Sequence, residues 1–75
     1  MKKVVSNAKD LGDFVKRQRM KRLMSQLELS EEAGITQATL CRLERGQKSV
    51  HLDTMVKILN SLGGQLVIET TEEDG

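Results

Sequence analysis

Groups able to do covalent chemistry are scarce in this chain, which holds one histidine, His51, and one cysteine, Cys41. His51 lies close in sequence to Ser49 and Asp53, types that in a hydrolase supply base, hydroxyl and orienting acid. That chemistry also needs a pocket and donors for an oxyanion, and 75 residues offer no evident room for them. A zinc ion would have to recruit scattered carboxylates, so neither catalysis nor a metal is expected, and no cofactor is needed. Cys41 has no partner for an internal disulfide. The residues that stand out are instead hydrogen-bonding ones on one short stretch, chiefly Gln37, Ala38 and Arg42. A glutamine amide can bond adenine N6 and N7 together, an arginine fork can bond guanine O6 and N7, and an alanine methyl can meet the thymine methyl. Taken alone, the same residues would be the solvent side of an ordinary amphipathic helix; what precedes them decides between the two.

Positioning such a stretch needs a scaffold, and the hydrophobic pattern supplies one. Leu11, Phe14, Val15 and Gln18 at i, i+3, i+4 and i+7 predict a helix over 10–22 with Asp10 as N-cap. Ser25 followed by Glu28 is a capping box, so a second helix is expected from Gln26 to Ala33, ended by Gly34. Thr36 then caps a third segment, Gln37 to Arg45, with Leu40 and Leu43 facing inward and Gly46 closing it. Leu52, Met55, Val56, Ile58, Leu59 and Leu62 predict a deeply buried fourth helix ended by Gly63 and Gly64. Met20, Met24 and Met55 read as core fillers. Leu66, Val67, Ile68 and Thr70 read as a short strand over 65–70, which must pair with another copy of the chain, with Lys3 to Ser6, or with a partner protein. The acidic end, 71–75, reads as disordered. The expected organisation is an N-terminal arm (1–9), a helical domain (10–64), a dimerisation strand (65–70) and a tail (71–75). Two short helices joined by a tight glycine turn, the second displaying polar side chains, match the width of a major groove.

Charge is distributed unevenly even though the formal net charge is only +1. Residues 1–25 hold eight basic and two acidic side chains, whereas residues 49–75 hold one basic and five acidic. One end is therefore suited to meeting a polyanion. A chain this small buries only roughly 60% of its unfolded surface, so a partner subunit is expected. No apolar run approaches the ~20 residues that span a bilayer, and the single cysteine fits a reducing cytoplasm.

Ser25-Gln26, Ala33-Gly34-Ile35 and Glu44-x-Gly46, in register with the flanking helices, closely resemble the XRE-type helix-turn-helix of phage-repressor-like (Cro/CI-like) DNA-binding proteins. The resemblance covers about residues 10–64. It implies an all-α, lambda-repressor-like domain of four to five helices, working as a homodimer on a palindromic double-stranded DNA operator with half-sites about one turn, ~34 Å, apart. It further implies that Gln37, Ala38 and Arg42 read bases while Gln26, Thr36, Thr39, Arg45 and Lys48 lie against the DNA backbone. Arg19 and Glu44 take the positions of an ion pair between helices 1 and 3. The chain departs from the pattern in having Val50-His51 where relatives often have Pro-Ser or Pro-Thr. Its ending, Ile58 to Ile68, is similar to that of HipB-like antitoxins, in which a C-terminal strand (here Leu66, Val67 and Ile68) pairs across the dimer. The implied function is an autoregulatory repressor and antitoxin of a type II toxin–antitoxin operon, with a HipA-like kinase as toxin. The alternatives are a stand-alone regulator without a toxin and a protein-interaction module that does not bind DNA.

Overall fold

In the computed structural model, which describes residues 2–47 and 50–71, the chain forms four helices: α1 (Ala8–Lys21), α2 (Gln26–Ala33), α3 (Gln37–Glu44) and α4 (Leu52–Ser61). α1 starts two residues before the sequence-based expectation because its cap is Asn7 and not Asp10. Asn7 Oδ1 accepts the Asp10 N–H at 2.8 Å, and the Asp10 carboxylate in turn accepts the Ser6 N–H at 3.1 Å. Asp10 is thus the acidic residue of the first turn, where it complements the helix dipole. α2 opens on a complete capping box: Ser25 Oγ accepts the Glu28 N–H at 3.0 Å and Glu28 Oε1 accepts the Ser25 N–H at 2.8 Å. The Ser25 amide, and secondarily its hydroxyl, hold the Glu28 carboxyl below its ordinary pKa. α3 is capped by Thr36, whereas α4 begins at His51 without any side-chain capping bond.

All four helices end in one motif, a left-handed residue whose N–H and that of its successor return to the last turn. After α2 the Gly34 N–H reaches the Glu31 carbonyl at 3.2 Å and the Ile35 N–H reaches that of Ser30 at 2.9 Å, which turns the chain sharply toward α3. α3 and α4 use Gly46 and Gly63 in the same place. α1 instead uses Leu23, which has φ 57° and is 92% exposed. A left-handed conformation costs a non-glycine residue roughly 1–2 kcal/mol.

The core is built from Leu11 and Val15 of α1, Leu29 and Ala33 of α2, Leu40 and Leu43 of α3, and Ile58 and Leu62 from α4 and its end. Phe14, Met24, Ile35, Val50 and Met55 pack around it. α1 meets α3 through Gly12, where a Cβ would fall inside contact distance of the Leu43 carbonyl oxygen and 2.8 Å from that of Glu44. The two backbones touch at that point.

The structure corrects several expectations. α4 is buried only along Ile58 and Leu59, while Leu52 and Val56 face solvent, because a ten-residue amphipathic helix lying on one side of a small core covers only one of its faces. Met20 is 56% exposed and is no core filler, since it lies on the outer side of α1 beside the turn at Leu23. Residues 65–70 form no strand: a ladder needs a second backbone, and Leu66, Val67 and Ile68 stay exposed in the single chain. The expected disorder of the tail falls largely on 72–75, which lie outside the described residues.

Two substitutions test these backbone features with opposite signs. By helix propensity alone Gly12→Ala should stabilise by about 1 kcal/mol. The contact with α3 reverses this, and urea unfolding should show a net loss of about 1–3 kcal/mol. Leu23→Gly relieves the left-handed leucine without removing any buried surface, and the same measurement should show a gain of about 1 kcal/mol.

Candidate nucleic-acid interface

The orientation of α3 rests on one charged cluster beneath it. Arg19 Nε and Nη2 donate to the two carboxylate oxygens of Glu44 at 2.7 and 3.0 Å, a bidentate pair whose side chains are 12% and 3% exposed. The third nitrogen, Nη1, donates to the Met24 carbonyl at 2.8 Å, just before α2. Gln26 Nε2 adds a bond to Glu44 Oε1 at 3.1 Å. α1, the start of α2 and the last turn of α3 thus share a single set of hydrogen bonds. The bond to Glu44 holds the Arg19 guanidinium above its ordinary pKa, with burial opposing the rise and the carboxylate charge adding to it.

On this base α3 turns Leu40, Leu43 and Glu44 inward and leaves Gln37, Ala38 and Arg42 exposed on the outer side. Thr36 Oγ1 accepts the Thr39 N–H at 3.1 Å and donates to the Thr39 hydroxyl at 2.8 Å, so both threonines are tied into the cap at the head of the helix. Gln26 opens α2, half-buried, with its side-chain amide already engaged by Glu44. What it retains toward the outside is its side-chain oxygen and a first-turn amide that has no partner within the helix. Arg45 is the exposed C-cap of α3. The structure therefore brings Gln37, Ala38 and Arg42 onto one surface and Thr36 and Thr39 to its edge, while Lys48 lies outside the described residues. Cys41 is half-buried beside that surface.

Two features escape a reading of the sequence alone. Arg22, one of the eight basic residues crowded into 1–25, donates through Nη2 to the Leu62 carbonyl and so anchors the end of α4. A cleft also opens between α3 and the start of α4, backed by Leu43 and Val50 and rimmed by Thr39, Arg42, Gln47 and His51. Its only trace in the sequence is that a histidine stands where a helix start is due. No group of three or more His, Cys, Asp or Glu arranged to hold a metal occurs among the described residues, and no described helix is long and apolar enough to cross a membrane.

A family model described as helix-turn-helix matches residues 15–67, spanning all of α2, α3 and α4. The chain belongs to the helix-turn-helix family. Among solved structures, a chain of the HipA-HipB-O2-O3 complex is 30% identical over 96% of this chain and 100% of that one, with a TM-score of 0.80. A chain of a toxin-antitoxin module from Streptococcus pneumoniae is 30% identical, with a TM-score of 0.68 over 84% of this helix-turn-helix chain and 74% of the other. The clp gene regulator ClgR from Corynebacterium glutamicum is 26% identical, with a TM-score of 0.72 over 77% of this chain and 62% of its own. No curated protein sequence matches.

The charged cluster makes a sharp prediction. Glu44→Ala leaves the partly buried Arg19 without its counter-ion and should cost about 1.5–3 kcal/mol in urea unfolding. Replacing both partners, Arg19→Met with Glu44→Leu, should cost much less, because no unpaired charge remains buried.

Proposed function

We propose that this helix-turn-helix chain is a sequence-specific repressor that binds double-stranded DNA as a homodimer and regulates its own operon as a HipB-like antitoxin. The observation that carries the reading is the outer side of α3. Gln37, Ala38 and Arg42 are exposed there and make no side-chain hydrogen bond or ion pair among the described residues. The helix that displays them is held in place by the Arg19–Glu44 pair beneath it and by the turn at Gly34 before it.

Gln37 and Arg42 are suited to base edges, with Ala38 offering a methyl contact. Gln26, Thr36, Thr39, Arg45 and Lys48 are assigned to the backbone, where contacts fix register without selecting sequence. The dimer brings two copies of α3 to half-sites about one helical turn apart, ~34 Å. Its contact is assigned to Leu66, Val67 and Ile68, which a second copy would cover by strand pairing. Support for the antitoxin role comes from the likeness to chains of the HipA-HipB-O2-O3 complex and of a toxin-antitoxin module, and the partner is then a HipA-like toxin. The likeness to ClgR, a gene regulator, favours a second reading, a stand-alone regulator without a toxin.

Fluorescence anisotropy on the DNA upstream of the chain's own gene, against a scrambled duplex at physiological salt, tests the reading. The expected preference is at least roughly 10³-fold, and equal binding to both duplexes would refute it. Arg42→Ala should cost about 1–3 kcal/mol on the preferred duplex and relax the choice between the two.

A further inference from the structure

α1 carries a group of cations that base reading by α3 leaves unused. A cleft of about 170 Å³ opens between the N-terminal arm and α1, lined by Lys3, Phe14, Arg17, Gln18 and Lys21, with no carboxylate among them. Lys3 and Lys21 make no side-chain hydrogen bond or ion pair among the described residues, and Arg17 commits only Nε, to the Asp13 carbonyl at 3.5 Å. The acids of the same helix are engaged elsewhere: Asp10 accepts the Ser6 N–H and Asp13 pairs with Lys9. Gly12 and Arg19 mark the side of α1 that meets α3. At 3.6 residues per turn, Phe14, Arg17, Gln18 and Lys21 lie roughly 110–170° around the helix from that side. A duplex held against α3 therefore leaves this cleft uncovered.

The C-terminal segment of the chain comes to the same place. Lys2 Nζ meets Glu69 Oε2 at 3.4 Å, and the next residue of the arm, Lys3, lines the cleft. Beyond Glu69 follow Glu72, Glu73 and Asp74, which lie outside the described residues. The chain length gives them a reach of roughly 10–18 Å from Glu69, enough to cover a cleft of this size. Their carboxylates match the cations in number and sign, and a segment tethered this closely competes at an effective concentration of order millimolar. We propose that Glu72, Glu73 and Asp74 dock in the cleft of their own chain against Lys3, Arg17 and Lys21, and, resting on the DNA-binding reading, that this shields a basic face which would otherwise attract DNA of any sequence. Non-specific attraction is an electrostatic term set by how many phosphates the available cations can neutralise. Covering cations that take no part in base reading lowers that term and leaves the contacts of α3 in place, so the tail raises the ratio of specific to non-specific binding.

NMR of the full-length chain tests the docking directly. With a spin label at Gly75→Cys in a Cys41→Ser background, the amide signals of Arg17 and Lys21 should broaden at low salt and recover at about 1 M NaCl, where the pairing is screened. No broadening at low salt, or broadening that arises as strongly between a spin-labelled copy and a separate isotope-labelled one, would overturn docking in the same chain. Anisotropy tests the consequence with three variants: Glu72→Gln with Glu73→Gln and Asp74→Asn, Arg17→Gln with Lys21→Gln, and all five substitutions together. Neutralising the tail should tighten the scrambled duplex by roughly tenfold and the upstream duplex by less, with a log–log salt slope steeper by about 0.9 for each phosphate gained. Without Arg17 and Lys21 the gain should vanish. An equal gain with and without them would mean that the tail acts only as diffuse charge, and would overturn the docking. A wild type that shows no preference for the upstream duplex would instead sink the DNA-binding reading and leave the broadening in place, so the two failures are distinguishable.

Discussion

The buried pair between Arg19 and Glu44 is the constraint on which the arrangement of helices depends. Two charges withdrawn from water are tolerated only if their hydrogen bonds are met, and here both carboxylate oxygens and all three guanidinium nitrogens find partners. Those partners belong to α1, to the segment before α2, to the first residue of α2 and to the last of α3. The pair is therefore less a source of stability than a condition on geometry: other angles between these helices would strand a charge. Gly12 enforces the same condition from the backbone side, by letting α1 lie directly on the carbonyls of Leu43 and Glu44.

Around that centre the fold relies on well-made helix ends. α2 and α3 are each eight residues long, too short to be stable as isolated helices in water. Their caps satisfy the orphan amides at one end and the paired returns to the last turn satisfy carbonyls at the other. Met24 and Leu29, both packed in the core, flank the start of α2 and fix the direction from which the chain enters it.

Much of this is legible in the residues because it is local. Ser25 with Glu28, Thr36, Gly34 and Gly46 mark helix boundaries through bonds spanning only a few positions, and the bounds of α2 follow from them directly. What is not legible depends on separations that no short window contains. Gly12 reads as a weak spot in a helix until α3 is laid across it, and Arg22 reads as a surface cation until Leu62 arrives 40 residues later. The start of α1 is ambiguous in the sequence because Asn7 and Asp10 are both competent caps, and only the backbone shows which is used. No strand forms at Leu66 to Ile68 among the described residues, since β-branched side chains state a local preference and a strand needs a backbone partner that the residues alone do not specify. Among the candidate interface residues, the outward position of Gln37, Ala38 and Arg42 follows from the helical period, whereas the engagement of Gln26 by Glu44 does not.

The separation between the inner and outer sides of α3 has an evolutionary consequence. Leu40, Leu43 and Glu44 carry the helix's obligations to the rest of the molecule, and Gln37, Ala38 and Arg42 carry none within the described residues. Mutational drift on the outer side is thus free of the penalty that the core imposes, and selection can act there on partner choice alone. A lineage of such proteins can diversify what it recognises while inheriting one unaltered scaffold.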